Sequence, residues 1–219
     1  MKLYCSNQRN HGLTLMELLA VLFALAILSA VLLPVIAKSH MHSSRLGCVN
    51  NLKEVSLAYR IWEGDNGDLY PTGVSVIKGG AMEPAAKGDV AAVFQVMSNI
   101  LSTPKILLCP DDLNHFAATN FAVGFSSKNL SYFASLDATN DSNPQQPLTG
   151  DDNFEVDGVP VKSGLLPLPT NPKIVWGASR HKHMENIAFT DGSVQQLSTA
   201  GLQQVLQNSG LATNHLAIP

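Results

Sequence analysis

The sequence predicts an α+β chain in which one long N-terminal helix, its first half in a membrane, lies with its second half on a small antiparallel β-sheet. Three observations carry this. Residues 18–37 run for twenty positions without a charge. Cys48, Leu52, Val55, Tyr59 and Trp62 then recur at spacings of 4, 3, 4 and 3, which is one face of a helix. Residues 173–176 read as a strand, and 186–190 and 193–197 as a hairpin closed by a tight Asp191-Gly192 turn.

Composition narrows the function classes. A chain of 219 residues holds one ordinary domain plus an extra element. Lys and Arg number 14 against 17 Asp and Glu, a net charge of -3, which excludes a strongly basic nucleic-acid binder. Charged residues make up 14% and hydrophobic ones 45%, so the chain is no disordered polyelectrolyte. It has no internal repeat of solenoid length and no low-complexity tract, and its three cysteines are too few for a disulfide-framework miniprotein.

Twenty helical residues rise about 30 Å, the hydrocarbon thickness of a bilayer. Thirteen residues of the 18–37 run are Leu, Ile, Val or Phe. Together they favour insertion by about 4 to 8 kcal/mol before Ser29 and Pro34 are charged against it. The run exceeds the roughly 7 to 15 apolar residues of a secretory signal and lacks its small-x-small cleavage site. Cys48 lies eleven residues past the end of the run, too far for a lipoprotein signal. A core helix apolar on every face is the remaining alternative, and a lesser one.

Before the run stands a polar leader, MKLYCSNQRNHG, with Lys2 and Arg9, followed by Gly12, Leu13, Thr14, Leu15, Met16 and Glu17. A lone carboxylate at the lip of a membrane helix is expensive and usually functional. The segment GLTLME resembles the processing site of type IV prepilins and type II secretion pseudopilins, over about residues 9–37. That resemblance implies a pilin-like fold, with cleavage by a prepilin peptidase after Gly12 and methylation of the new N-terminus at Leu13, where relatives often carry phenylalanine. It also implies an assembly role for Glu17 and a helix-kinking role for Pro34. In a packed filament the Glu17 carboxylate would meet the free amine of a neighbour's Leu13, a compensated pair; alternatively it snorkels to the headgroups. Pro34 removes a backbone donor and should kink or locally melt the helix.

Charge alone does not orient the helix, since Lys2 and Arg9 face Lys38, Arg45 and Lys53 across it. The leader does: the resemblance makes it cytoplasmic. The implied organisation is a leader at 1–12, a transmembrane half-helix at 13–37, and a head at 38–219 in the periplasm of a bacterium, anchored once in the inner membrane. Implied partners are the prepilin peptidase, other pilin or pseudopilin subunits, the inner-membrane assembly platform and membrane lipid, with no nucleic acid.

The helix is expected to run from about residue 13 to 64, its end set by Asp65-Asn66-Gly67. The stretch through DNGDLYP also looks like the region after the long helix in major pseudopilins. Asp65, Asn66 and Asp68 lack the closing glutamate of a calcium loop and read as a turn. No cofactor or metal is expected, although calcium in the head stays open. Asp89 should cap an amphipathic helix through Leu101. Residues 105–109 and 131–134 read as strands, and 137–170 as loop, broken by a hairpin at Asp157-Gly158.

Once Cys5 leaves with the leader, Cys48 and Cys109 remain. Outside the cytoplasm they would form a disulfide, closing a loop worth roughly 4 kcal/mol, or else stay as two buried thiols. His181, followed by nine residues and Asp191-Gly192, is similar to the C-terminal signature of a prepilin-like bacterial family. An enzymatic reading would make His181, His183 and Asp191 metal ligands or an acid-base set, since His-x-His on a strand shares one face. The plainer one gives Asp191-Gly192 to a turn and His181 to a loop hydrogen bond. Residues 199–208 form a closing helix ended near Gly210. The expected function is a filament subunit without catalysis of its own. The competing class is a membrane-anchored binding protein or enzyme that never assembles.

Overall fold

The computed structural model describes residues 14–169, 173–181 and 183–219, the side chains of residues 34–42 excepted. The leader and the processing site at Gly12 and Leu13 lie outside the described residues. The chain divides into two units, Met1–His42 and Ser43–Pro219.

Helix α1, Leu15–Asp65, has 51 residues, close to the predicted span. Its start is a capping box. Thr14 Oγ1 accepts from the Glu17 backbone N–H at 3.3 Å, and the Glu17 carboxylate accepts from the Thr14 N–H at 2.8 Å and from its hydroxyl at 2.9 Å. Leu15–Leu33 is long and apolar enough to cross a membrane, and its large hydrophobic side chains are exposed. The backbone is helical through Pro34, so the proline does not melt it, contrary to one of the two outcomes expected of it.

Within Ser43–Pro219, the predicted stripe of α1 is wholly inward: Cys48, Leu52, Val55, Tyr59 and Trp62 are all buried. The helix ends as its sequence demands. Asn66 donates its side-chain amide to the Trp62 carbonyl at 2.7 Å, and Gly67 and Asp68 turn left-handed with φ of 71° and 59°. Helix α2 is Met82–Ala85. Asp89 caps α3, Val90–Val96, through Oδ1 and the Ala92 N–H at 3.2 Å. The single helix expected over 90–101 breaks at Met97, whose N–H turns back to the Phe94 carbonyl, and resumes as α4, Ser98–Leu101. The break leaves the apolar stripe buried.

The strand expected at 105–109 is absent. Pro104, with its fixed φ and missing donor, instead opens a 3-10 turn, Pro104–Leu107. The strands are β1, Tyr132–Ser135; β2, Pro147–Asp151; β3, Phe154–Val156; β4, Val159–Pro160; β5, Gly164–Pro169; β6, Ile174–Trp176; β7, Met184–Phe189; β8, Val194–Ser198; and, after α5 at Thr199–Asn208, β9, Thr213–Ile218. The main sheet has six strands in the order β5-β9-β1-β2-β7-β8, every pair antiparallel, and a second sheet runs β4-β3-β6.

Four strands, β2 to β5, thus occupy about half of the loop expected at 137–170, and the expected Asp157-Gly158 hairpin is present, with φ of 52° and 75°. Prolines hid β5: Pro167 and Pro169 are tolerated because β5 is an edge strand, where a missing donor breaks no inner ladder. The inner strands of the main sheet are largely buried on both faces, while the edge strands β5 and β8 are mostly exposed or half-buried. Tyr132, Ala134, Ala188 and Ala217 join the core under α1, while Phe133, Ile187, Phe189, Leu216 and Ile218 join Phe154, Trp176, Leu202 and Leu206 on the other side. Small alanines on one face let the helix approach; the bulk lies on the other.

Candidate functional site

Two places gather chemistry. The first is the apolar helix start. Glu17 is expected to act in assembly or to snorkel, and the structure gives it a third, local role, in which it closes the capping box on Thr14. That box satisfies backbone donors which a membrane interior leaves unpaired at high cost.

The second is a buried cluster on the head. Cys48 arrives on the inward stripe of α1, Cys109 follows the 3-10 turn and is stopped by Pro110, Asp151 ends β2, and His181 sits in the loop between β6 and β7. One potential ligand atom from each lies within 4.8 Å of the others, and all four residues are buried. Cys48 Sγ is 3.2 Å from Asp151 Oδ1 and 3.2 Å from Tyr132 Oη. Cys109 Sγ is 3.1 Å from His181 Nε2. The disulfide expected between Cys48 and Cys109 is not formed; both are free thiols, buried as the alternative had it, yet side by side as a bridge would require.

The surroundings fix each member. Asp151 Oδ2 accepts from the Asn186 backbone N–H at 2.7 Å and from its side-chain amide at 3.0 Å, leaving Oδ1 to face Cys48. His181 holds a left-handed φ of 42°, uncommon for a side chain of this size, while its carbonyl accepts from Arg45 at 2.5 Å. His181 Nδ1 lies 2.9 Å from Asp111 Oδ2, at ion-pair distance but out of hydrogen-bond alignment. Glu185, on β7 and fully buried, has Oε1 on the Asn153 amide at 3.0 Å and Oε2 without a hydrogen-bond partner, 3.8 Å from His181 Nε2.

The protons follow from this crowding. The hydrogen bond from Cys48, against burial and with the His181 ring, lowers the Cys109 thiol to about 7. Burial pushes Cys48 well up, and the hydrogen bond to Cys109 adds to it, so Cys48 keeps its proton. Burial opposes charge on His181, but Cys109 and the carboxylates outweigh it and raise the ring to about 9. Burial first, then Asp151, raises Glu185 to about 8. Cys109 is therefore the more acidic of the two thiols, and it faces an imidazole made more basic by that contact. All of these side chains are buried, and together they offer two sulfurs, an imidazole nitrogen and carboxylate oxygens to one small space.

Next to it lies a second buried network. Arg180 Nη1 is 3.4 Å from Asp112 Oδ2 and donates to the Ser131 carbonyl at 3.2 Å, while Nη2 pairs with Asp152. Asp112 also accepts from Ser131 Oγ at 2.6 Å and pairs with His115 Nδ1 at 2.8 Å. Burial works against the Asp112 charge, but His115, Arg180 and Ser131 outweigh it and hold the carboxyl well below its usual range. The hydrogen bond to Asp112, against partial burial, raises His115 above the ordinary 6.5. The stability His115 contributes is then complete below the unfolded value and lost as pH rises through its raised folded one. His115→Gln should lack that loss. Urea midpoints taken on either side of the window should fall more in the wild type than in the variant, and equal falls would refute the assignment.

The other predicted site residues go elsewhere. His183 is exposed, not on a strand, and its Nδ1 contacts the Trp176 carbonyl at 2.8 Å. Asp191 turns the β7–β8 hairpin: its Oδ1 accepts from Ser193 N–H at 2.8 Å, its carbonyl from Arg60 at 3.0 Å, and Gly192 takes φ of 84°. The set His181, His183 and Asp191 is thus not assembled; Asp191 and Gly192 serve the turn, while His181 joins Cys48, Cys109 and Asp151. Asp65, Asn66 and Asp68 form the helix-ending turn, as expected. Sequence reasoning does not find Asp151 and Glu185, because no local spacing connects them to the cysteines.

Comparison of the chain with family models, curated proteins and solved structures finds no match in any of the three.

Proposed function

We propose that the chain is a pilin-like structural subunit, processed by a prepilin peptidase after Gly12 and assembled through its apolar helix into a type II secretion pseudopilus or a related type IV filament. One observation carries the reading: Leu15–Leu33 offers apolar side chains on every face, with Glu17 as its single charge at the very start. Such a rod has equal company in lipid and in a bundle of similar rods, so transfer between them is near balance and an external motor can drive it. The head would then stand in the periplasm, with the inner-membrane platform and sibling subunits as partners, and the chain would catalyse no reaction. Pro34 would serve as a helix kink or hinge during that transfer.

The capping box sharpens the test. Glu17→Ala removes the assembly charge and only its own half of the capping box, whereas Thr14→Val removes the N-cap acceptor, worth about 0.5–2 kcal/mol, and keeps the charge. A filament subunit should lose incorporation with Glu17→Ala while remaining in the membrane, and keep it with Thr14→Val. If both variants reach sheared filaments at wild-type levels, or intact mass shows the native chain uncut before Leu13, the chain is a membrane-anchored binding protein or enzyme instead.

A further inference from the structure

We propose that Cys48, Cys109, Asp151 and His181 form a binding site for a divalent transition metal of the zinc class. The donor set is two sulfurs, one imidazole nitrogen and one carboxylate oxygen, which is the chemistry of a closed tetrahedral site. Thiolates disfavour calcium and magnesium, which take oxygen ligands, and select softer ions.

The geometry is nearly that of a loaded site. Bonds of about 2.0–2.3 Å to a tetrahedral zinc place neighbouring donors roughly 3.3–3.8 Å apart. Two donor pairs here stand at 3.1 and 3.2 Å, and all four donors fit within 4.8 Å. Uptake of the ion therefore requires side-chain shifts of up to about an ångström, within the reach of rotamer adjustment. Two protons, that of Cys48 and the one shared between Cys109 Sγ and His181 Nε2, leave to solvent as the bonds form, and no electrons are exchanged.

An outer shell is also in place. Metal-bound histidines usually present their second nitrogen to a carboxylate, and His181 Nδ1 faces Asp111 Oδ2 at 2.9 Å. Asn186 holds the far oxygen of Asp151 and so aims the near one inward. Independently of the four donors, the buried Glu185 carboxyl leaves Oε2 without a partner and directed at the same space. An orphaned acid there is what a bound cation would compensate. Because the ligands come from α1, the turn after Pro104, β2 and the β6–β7 loop, one ion would pin the buried half of the long helix to the sheet.

The test uses the untagged full-length chain in detergent, reduced, incubated with zinc and desalted. We expect one zinc per chain by elemental analysis, and tetrahedral d–d bands with thiolate charge transfer after exchange for cobalt. Cys109→Ser and His181→Ala should lose the ion, His115→Ala should retain it, and Asp111→Asn should weaken binding by about 10–100-fold in competition with a chelator. A wild-type chain that retains no zinc overturns the proposal whatever the variants do. So does cobalt bound without thiolate charge transfer, or a Cys48–Cys109 disulfide that survives in the zinc-treated protein.

Discussion

Arg180→Met should destabilise the head by about 3–5 kcal/mol, the usual penalty for removing one partner of a buried ion pair. The guanidinium is 4% exposed and stands between Asp112 and Asp152, both buried. Methionine fills much of the same volume but leaves two carboxylates with no cation between them. Asp112 retains Ser131 and His115, whereas Asp152 loses its only ion-pair partner among the described residues. The damage therefore concentrates on Asp152. Adding Asp152→Asn to Arg180→Met should recover part of the loss, with a coupling of about 1–3 kcal/mol. Denaturant unfolding of the full-length chain, followed by Trp62 and Trp176 fluorescence, measures both. A single variant within about 1 kcal/mol of wild type, or strictly additive effects, would show that the network is solvated and slack.

How much of this is readable in advance depends on whether the signal is local. The α1 stripe, the Asp89 cap, the Asp191-Gly192 turn and helix α5 all rest on residues a few positions apart, and each is where periodicity or turn chemistry puts it. Strands β2 and β5 escape for opposite reasons. β2, Pro147–Asp151, is a central strand whose Pro, Thr, Gly and Asp resemble loop composition, yet Thr149 donates its hydroxyl to the Phe133 carbonyl at 2.6 Å and Asp151 is held by Asn186. β5 carries prolines that only an edge accommodates. β9 follows Gly210 without a hydrophobic alternation, since Leu216 and Ala217 are buried on opposite faces of the sheet.

The buried cluster is legible only in fragments. Cys48 declares itself as one more apolar residue on a stripe, and its pairing with Cys109 rests on counting. His181 stands out by its distance from Asp191, but its real neighbours lie 30, 72 and 133 positions before it, brought in by sheet pairing and by the packing of α1. No spacing rule spans such separations. The left-handed φ at His181, sustained by Arg45, is likewise a tertiary effect that composition does not announce.

Trp176→Ala should be the costliest change in the second core, at about 3–5 kcal/mol. The indole is fully buried and stacks on Phe154 with centroids 4.9 Å apart and planes at 17°. Removing it opens a cavity between β6, α5 and the main sheet, where Phe133, Phe189 and Leu206 are already locked by their own neighbours. Trp176→Phe should behave differently. The indole Nε1 is buried without a hydrogen-bond partner, a defect that itself costs about 1–3 kcal/mol. Phenylalanine gives up contact area but removes that orphan donor, so the net loss should stay at about 1 kcal/mol. Trp176 belongs to the second core, which contains none of the four proposed ligands, so zinc retention at the cluster should survive both. A Phe variant as damaged as the Ala variant, with Trp62 as the fluorescence probe, would mean that the indole donor is satisfied and that ring volume alone sets the stability of this core.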